Sequence, residues 1–262
     1  MSAAAAGRSR TRHRSALAQR GVSLVELAIG LLILSLIIGG LLIPLATQVE
    51  QARVSQTQRQ IEEIREALVG FALANGRLPC PAAPNNAGVE SVGPGGACNF
   101  PWTGFVPGVT LGLSQVDAQG YAIDGWSGGA GQNRIRYAVT TANGQAFTTA
   151  GGMRATGMAA LAPDLLVCSA GNGAVNIAAC PGGANTLAAN AVAVIYSLGA
   201  NAATGGISAD EGANANPNSA NNDRVFVSRI RGSGIGGEYD DIMTWLSPNV
   251  LYARMVAAGQ LP

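Results

Sequence analysis

The sequence contains no lysine, a single histidine and few charged side chains of any kind. Charged residues make up 12% of its 262 residues, and aromatic residues make up 5%. The histidine is His13, so the chain beyond residue 21 cannot form Ser-His-Asp or Cys-His catalytic sites, or most zinc sites. The sequence also has neither a P-loop nor a dinucleotide-binding fingerprint. We therefore expect that the protein is not an enzyme and that it binds no cofactor.

The positive charge is concentrated at the start of the chain. Residues 1–21 hold five of the 16 arginines and no acidic residue, whereas the rest has 11 arginines against 15 acidic residues. A nucleic-acid-binding protein is expected to carry a basic stripe on its working domain. Here the basic block precedes an apolar segment, where the positive-inside rule for cytoplasmic flanks explains it. The charge distribution therefore disfavours nucleic-acid binding.

The apolar segment, residues 22–43, is long enough to cross a bilayer and contains one acidic residue, Glu26. Placing a carboxylate within a membrane costs free energy unless the carboxylate has a partner. An acidic residue in such a segment therefore indicates a function. Two simpler interpretations of this segment do not give Glu26 a function. It could be a membrane anchor in which Glu26 is solvated at the membrane interface, or it could be an ordinary signal peptide. A signal peptide needs a small-x-small cleavage site, which only Pro44-Leu45-Ala46 approximates. We therefore predict a transmembrane helix over residues 22–43.

Residues 44–76 continue with a helical pattern of a different kind. Apolar residues recur at helical spacing on one face, at Val54, Ile61, Ile64, Leu68 and Phe71. Asn75-Gly76, followed by Pro79, is typical of a helix end. The apolar face could form a coiled coil with a partner, but such a stripe more often packs on its own domain's sheet. We predict one helix whose second half is amphipathic.

Residues 77–262 are predicted to form one globular domain with short strands and long loops. The predicted strands are residues 135–140, 164–168, 191–198 and 224–230. Residues 241–246 are predicted to form a short strand or a turn, and Ser247-Pro248 to open a short helix that continues to Ala258. The nearly continuous apolar run at residues 192–196 indicates a central, buried strand. Residues 199–223, rich in Asn, Ala and Gly, are predicted to form a long surface loop. The expected fold class is α+β, with the helix packed on an antiparallel sheet.

The four cysteines are Cys80, Cys98, Cys168 and Cys180. No two of them have the C-x-x-C spacing of a zinc or thioredoxin-like site. Beyond a membrane helix they would lie in an oxidising compartment, where disulfides form. Four cysteines permit three connectivities, and we favour the two local pairs, Cys80 with Cys98 and Cys168 with Cys180.

The leader that ends in Arg20-Gly21, followed by an apolar helix with glutamate at its fifth position, resembles the processing signal of type IV pilins and type II secretion pseudopilins. The resemblance implies that prepilin peptidase cuts after Gly21 and methylates the new amine of Val22, a position where phenylalanine is common. It also implies that Glu26 pairs with the N-terminal amine of a neighbouring subunit during assembly. A buried pair of opposite charges is tolerable where either charge alone is not.

Weaker resemblances to the same family lie further along the chain. These segments are residues 76–81, the Gly125-Trp126 dipeptide with residues 134–137 after an inserted segment, and Asp240-Asp241-Ile242 before Trp245. The implied protein is a minor pilin or pseudopilin with a cytoplasmic leader, residues 1–21. It would lie in the bacterial inner membrane with its C-terminal domain in the periplasm, and would contact other pilin subunits and an assembly platform.

Two alternatives come from other functional classes. One is a membrane-anchored periplasmic binding or adhesion domain that does not polymerise. The other is an anchored hydrolase that depends on two carboxylates converging in a pocket. Replacing Glu26 should abolish filament incorporation of a pilin and change little in an anchored domain.

Several acidic residues could supply oxygen ligands for calcium, namely Asp210, Glu211, Asp223, Asp240 and Asp241. The resemblance agrees, because some pseudopilins carry such a site. The sequence contains no EF-hand pattern, however, and Asp210-Glu211 falls in the predicted surface loop. We therefore interpret these acids as a solvated loop and keep calcium as the secondary interpretation.

Overall fold

The computed structural model describes residues 21–126, 133–171, 179–204, 208–215, 224–234 and 237–262, without the side chains of residues 40–45. The chain divides into two compact units, Met1–Gln48 and Val49–Pro262. The predicted leader up to Arg20 and the inserted segment after Trp126 lie outside the described residues. So does Asp223, one of the five acids considered above.

The first element is a single long helix, α1, at Leu24–Asn75. It ends where the sequence predicts, because Gly76 adopts a positive φ of 67° and its N–H donates to Ala72 O at 2.8 Å. Glycine is the residue that takes this conformation most readily, which makes it a common helix terminator. The helix thus covers both the apolar and the amphipathic segments of the sequence.

The predicted membrane segment includes residues 40–43, whose side chains are outside the described part of the chain. Across the side chains that are described, no helix is both long enough and apolar enough to span a membrane.

Among its described residues, the second unit contains three sheets and several short helices. The strands are β1 Gly104–Phe105, β2 Arg136–Val139, β3 Leu165–Cys168, β4 Thr186–Ala191, β5 Ala193–Ser197, β6 Val225–Val227, β7 Gly232–Gly234, β8 Gly237–Tyr239 and β9 Ile242–Leu246. The largest sheet is antiparallel with the order β1-β2-β5-β9, the second has the order β4-β3-β6, and β7 pairs with β8. The further helices are α2 Gly108–Leu111, α3 Ala142–Gln145, α4 Gly152–Thr156, α5 Ala209–Ala215 and α6 Pro248–Ala257, with 3-10 turns at Pro94–Gly96 and Ala202–Thr204.

The central strand β5 is buried on both faces, as its continuous apolar sequence predicts. It lies between β2 and β9 in the large sheet, and all five of its residues are buried. Ala193 and Ile195 belong to the core that also contains Ile61, Ile64 and Leu68 of α1. Val194 and Tyr196 belong to a second core, shared with β3 and β6. The strand therefore joins three layers: helix, large sheet and second sheet.

The amphipathic half of α1 packs on its own domain, as predicted. Ile61, Ile64 and Leu68 are buried, together with Val69 and Ala72. The α+β class with an N-terminal helix packed on antiparallel sheet is therefore confirmed.

Three predictions for the second unit need correction. Residues 199–223 are not one surface loop, because a 3-10 turn and α5 lie within them and several side chains of α5 are buried. The strand predicted at residues 224–230 is shorter, ending at Val227. Finally, the second sheet is mixed, since β3 pairs parallel with β6. Parallel pairing needs a long crossover connection, which local sequence does not reveal.

Candidate functional site

The predicted processing residues lie directly before α1. Gly21 and Val22 are exposed and outside any helix or strand, and 69% of Val22 is accessible. A Cβ atom added at Gly21 would meet no atom within 4 Å. In the described part of the chain, the backbone around the predicted cleavage point is thus open to an enzyme.

Glu26 lies in the first turn of α1 and is exposed. The helix is already formed at this point, since Leu27 N donates to Ser23 O at 3.0 Å. Carboxylates are stabilised near helix N-termini because the unpaired N–H groups there carry partial positive charge. The first turn is therefore a favourable position for an acidic side chain such as Glu26.

The apolar side chains around Glu26 are uncovered on every side of the helix. They are 51–85% exposed in a run that includes consecutive positions: Leu24, Val25, Leu27, Ile29, Leu31, Leu32, Ile33, Leu34, Leu36, Ile37 and Ile38. Consecutive residues of an α-helix point about 100° apart, so four in a row surround the axis. A helix that is apolar all round is normally enclosed, by lipid or by other protein.

The four cysteines form the two local disulfides that we favoured. Cys80 bonds to Cys98, and Cys168 bonds to Cys180. The first bond lies in the main core beside α1, since both of its cysteines belong to that cluster. The second fastens the end of β3 to the start of the segment that leads into β4. The cysteines therefore have a structural role.

Three of the acids considered above form a buried cluster, which we call the carboxylate cluster: Glu211, Asp240 and Asp241. One carboxylate oxygen from each lies within 4.8 Å of the others. Glu211 comes from α5, while the two aspartates occupy the junction between β8 and β9. These three side chains are buried, so the interpretation of Glu211 as part of a solvated surface loop is wrong.

Hydrogen bonds hold the carboxylate cluster in place. Glu211 accepts from Asp240 N at 2.9 Å and from the Asn201 side-chain amide at 3.1 Å. Asp240 accepts from Ala200 N at 2.8 Å, and Asp241 accepts from Asn214 Nδ2 at 2.7 Å. Backbone and amide donors thus fix the geometry of all three carboxylates.

Burial and mutual repulsion disfavour the charged forms of the two aspartates. Burial raises the pKa of Asp240 to about 6, with the nearby Glu211 carboxylate adding to the effect. Burial also raises the pKa of Asp241 well above its usual range, and Glu211 and Asp240 raise it further. The hydrogen bond from Asn214 opposes this rise without cancelling it. The two aspartates therefore keep their protons to higher pH than ordinary aspartates do.

Asp210, the neighbour of Glu211, is not part of the cluster. Its carboxylate accepts from Gly171 N at 2.6 Å and lies 2.8 Å from Arg229 Nε. Arg224 pairs with Asp164 in the same way, and Arg231 pairs with Glu50 at 3.0 Å. The arginines of residues 224–231 therefore neutralise acids of their own domain.

Arg231 connects the carboxylate cluster to α1. Its Nε donates to the backbone carbonyl of Asp240 at 3.1 Å, and its Nη2 donates to Glu50 at 3.0 Å. The guanidinium also lies over the Trp126 ring, whose Nε1 donates to Glu50 at 3.1 Å. A single side chain thus joins the β8–β9 junction to the helix.

Sequence reasoning missed α5 and the two asparagines that position the cluster, Asn201 and Asn214. A signal for α5 was present, since Ser208 and Glu211 have the spacing of a capping box. In the structure Glu211 N donates to Ser208 Oγ at 3.2 Å, and Ser208 N approaches Glu211 Oε2 at 3.4 Å. The Asn-, Ala- and Gly-rich composition around it masked this short pattern.

Comparison with known proteins did not identify a relative of this chain. No family model matches the chain, and the searches of curated proteins and of solved structures likewise found no match.

Proposed function

We propose that this chain is a prepilin-type subunit, a minor pilin or pseudopilin, that assembles into a type IV pilus or a type II secretion pseudopilus. Prepilin peptidase would cut after Gly21 and methylate the amine of Val22. Residues 22–43 would then hold the subunit in the inner membrane, with the domain in the periplasm, until an assembly platform extracts it into the filament.

The observation that carries the proposal is the contrast between the two halves of α1. The apolar side chains from Val22 to Ile38 are exposed all round, whereas Ile61, Ile64 and Leu68 are buried against the sheet. The second half has a partner within the chain, and the first half needs a partner outside it. Lipid before assembly and the helices of neighbouring subunits afterwards would both provide one.

Glu26 fits the assembly step because of its place in the helix. An exposed carboxylate one turn from the new N-terminus can approach the amine of an adjacent subunit. In an apolar helix bundle, neither the Glu26 carboxylate nor the amine is stable without the other. The axial offset between subunits that pairs the two charges is therefore favoured over offsets that leave them unpaired. We propose that Glu26 sets this register and has no catalytic part.

The first test is processing. The intact mass and N-terminal sequence of the protein should be determined from cells with and without prepilin peptidase. We expect a mature chain that begins at Val22 with one added methyl group, and the full precursor when the peptidase is absent. An intact leader in both strains, or cleavage near Ala46, would remove the pilin proposal.

The second test separates a filament subunit from an anchored domain that does not polymerise. Glu26→Ala should be processed and retained in the membrane fraction but be missing from sheared filaments. Glu63→Ala, at an exposed position of the amphipathic half of the same helix, is the matched control and should incorporate normally. Equal incorporation of both variants would favour the anchored binding or adhesion domain.

A further inference from the structure

Ile230 is fixed in an exposed position by the arginines on either side of it. Its exposed fraction is 90%, higher than that of any other large apolar side chain in the described part of the chain. Arg229 lies 2.8 Å from the Asp210 carboxylate. Arg231 lies 3.0 Å from the Glu50 carboxylate. Turning Ile230 inward would break one of these ion pairs, so its exposure is built into the fold.

Trp126 lies beside one of these arginines. The Arg231 guanidinium is 5.4 Å from the centre of the Trp126 ring, and Trp126 Nε1 donates to Glu50 at 3.1 Å. Trp126 is half-buried, so part of its ring is accessible. A tryptophan with a hydrogen-bonded N–H and a partly accessible ring is typical of places with one apolar and one wet side, such as the membrane–water interface. Ile230 and Trp126 thus offer apolar contacts from two separate segments of the chain.

Arg53 adds a cation to this part of the surface. It follows Glu50 by three positions on α1, and residues at this spacing share a helix face. Arg53 is exposed, and among the described residues its guanidinium has no ion pair or hydrogen bond. Glu238, an exposed acid, lines the same depression as Arg231, so the region carries no large net charge. We use the name Ile230 surface for Arg53, Trp126 and Ile230.

The chain limits how far the Ile230 surface can lie from the predicted membrane segment. Glu50, which contacts both Arg231 and Trp126, follows residues 22–43 by seven positions in the sequence. Seven residues rise about 10 Å in an α-helix and span at most about 25 Å when fully extended. The headgroup layer on each side of the hydrocarbon core is itself about 5 to 7 Å thick. With residues 22–43 in a bilayer, the Ile230 surface is therefore within reach of the lipid headgroups.

We propose that the Ile230 surface contacts the headgroup region of the bilayer that anchors the chain. The Ile230 side chain and the Trp126 ring enter the interface, where apolar and aromatic groups are favoured, and the Arg53 guanidinium binds a lipid phosphate. The contact orients the domain on the membrane until the subunit is extracted. The inference rests on membrane insertion of residues 22–43, which is part of the proposed function, and not on polymerisation.

The test uses the full chain reconstituted into phosphatidylcholine vesicles, with or without a lipid that carries a nitroxide on its headgroup. Flotation with the vesicles reports insertion, and quenching of tryptophan fluorescence by the nitroxide reports contact with the headgroups. We expect the parent protein to float and to be quenched. Trp126→Phe should lose at least about half of the quenching, because Trp126 is the tryptophan placed at the interface. Trp102 and Trp245 pack against the second core instead.

Ile230→Ser then tests the apolar contact itself. It changes an exposed side chain, so the domain should fold, and quenching should fall to about half of the parent's or less because apolar area no longer enters the interface. Leu187→Ser is the matched control, since Leu187 is 46% exposed on β4 and should be quenched like the parent.

The possible failures are distinguishable. Flotation without quenching that depends on Trp126, or equal quenching of Ile230→Ser and the parent, would overturn the headgroup contact and leave membrane insertion intact. Failure of the parent protein to float would overturn both the membrane segment and this inference. Absence of quenching together with loss of Ile230→Ser from sheared filaments would assign the Ile230 surface to a neighbouring subunit instead of the bilayer.

Discussion

The backbone N–H of Gly125 donates a hydrogen bond to Thr57 Oγ1 at 2.9 Å, which joins the loop before Trp126 to the middle of α1. Thr57 is fully buried, and its hydroxyl donates in turn to Arg53 O at 2.9 Å. The loop can approach this closely only because residue 125 has no side chain. A Cβ atom there would lie 2.5 Å from Arg53 O and 2.9 Å from Arg53 Cα.

Gly125→Ala should therefore destabilise the protein, because backbone atoms of the helix would have to move to admit the methyl group. We expect a loss of about 1 to 3 kcal/mol in the free energy of unfolding, the range for overpacked sites. Urea unfolding followed by tryptophan fluorescence would measure it, and Trp126 is the adjacent residue.

Gly70→Ala is the matched control for this substitution. Gly70 is an exposed residue of the same helix, and a Cβ atom there would meet nothing within 4 Å. Alanine should stabilise this position by about 0.5 to 1 kcal/mol, because it loses less backbone entropy in a helix. A stability loss at Gly70 equal to that at Gly125 would contradict the close-approach explanation.

The two disulfides should each contribute to stability. They close loops of 18 and 12 residues by sequence separation, so the chain-entropy estimate is about 3 kcal/mol for each bond. Each disulfide can be removed by a double Cys→Ser variant, at Cys80 and Cys98 or at Cys168 and Cys180. Each double variant should unfold at a lower urea concentration, in proportion to the stability lost with its bond. Breaking the first pair should cost more, because Cys80 and Cys98 lie in the main core.

Mass spectrometry of tryptic peptides under non-reducing conditions would check the pairing independently. Cross-links between the two pairs would contradict the local connectivity. An unchanged urea midpoint in both double variants would contradict the stabilising role.

Glu90 should make the protein less stable in acid. Burial alone would raise the pKa of Glu90, but the hydrogen bonds from Arg77 and from Cys80 N outweigh it and hold this pKa below its usual range. A carboxyl whose pKa is lower in the folded state stabilises the protein above its unfolded pKa, about 4.3, and the contribution is lost as pH falls through the folded value. The free energy of unfolding should therefore decline below about pH 4.3.

Glu90→Gln should remove that part of the pH dependence. It should also cost about 1 to 2 kcal/mol at pH 7, between the values for exposed and buried ion pairs, since Arg77 holds Glu90 by two nitrogens at 2.7 and 2.8 Å. Glu66→Gln removes the exposed partner of Arg254 and should cost less than about 1 kcal/mol. If the free energy of unfolding of Glu90→Gln declined at low pH as much as that of the parent protein, Glu90 would not be the cause of this decline.

Local sequence was sufficient for the elements whose pattern is regular. The stop at Gly76, the buried strand around Ile195 and the helix opened by Pro248 were all predicted within a few residues. Each depends on periodicity or on the conformational preference of one residue type. The short helix α5 was missed, because seven residues rich in Ala, Asn and Gly give too little periodic signal.

The sequence by itself determined the α+β class, the apolar and amphipathic halves of α1, the supply of cysteines for disulfides and the placement of its single histidine at position 13. Only the tertiary structure decided that Glu211 and Asp240 meet across 29 residues, that Gly125 lies against Arg53, and that Arg231 reaches Glu50. The physical reason is the distance along the chain over which each kind of interaction acts. Backbone preferences and hydrophobic periodicity act between neighbours along the chain, whereas the convergence of charges depends on how the finished layers pack.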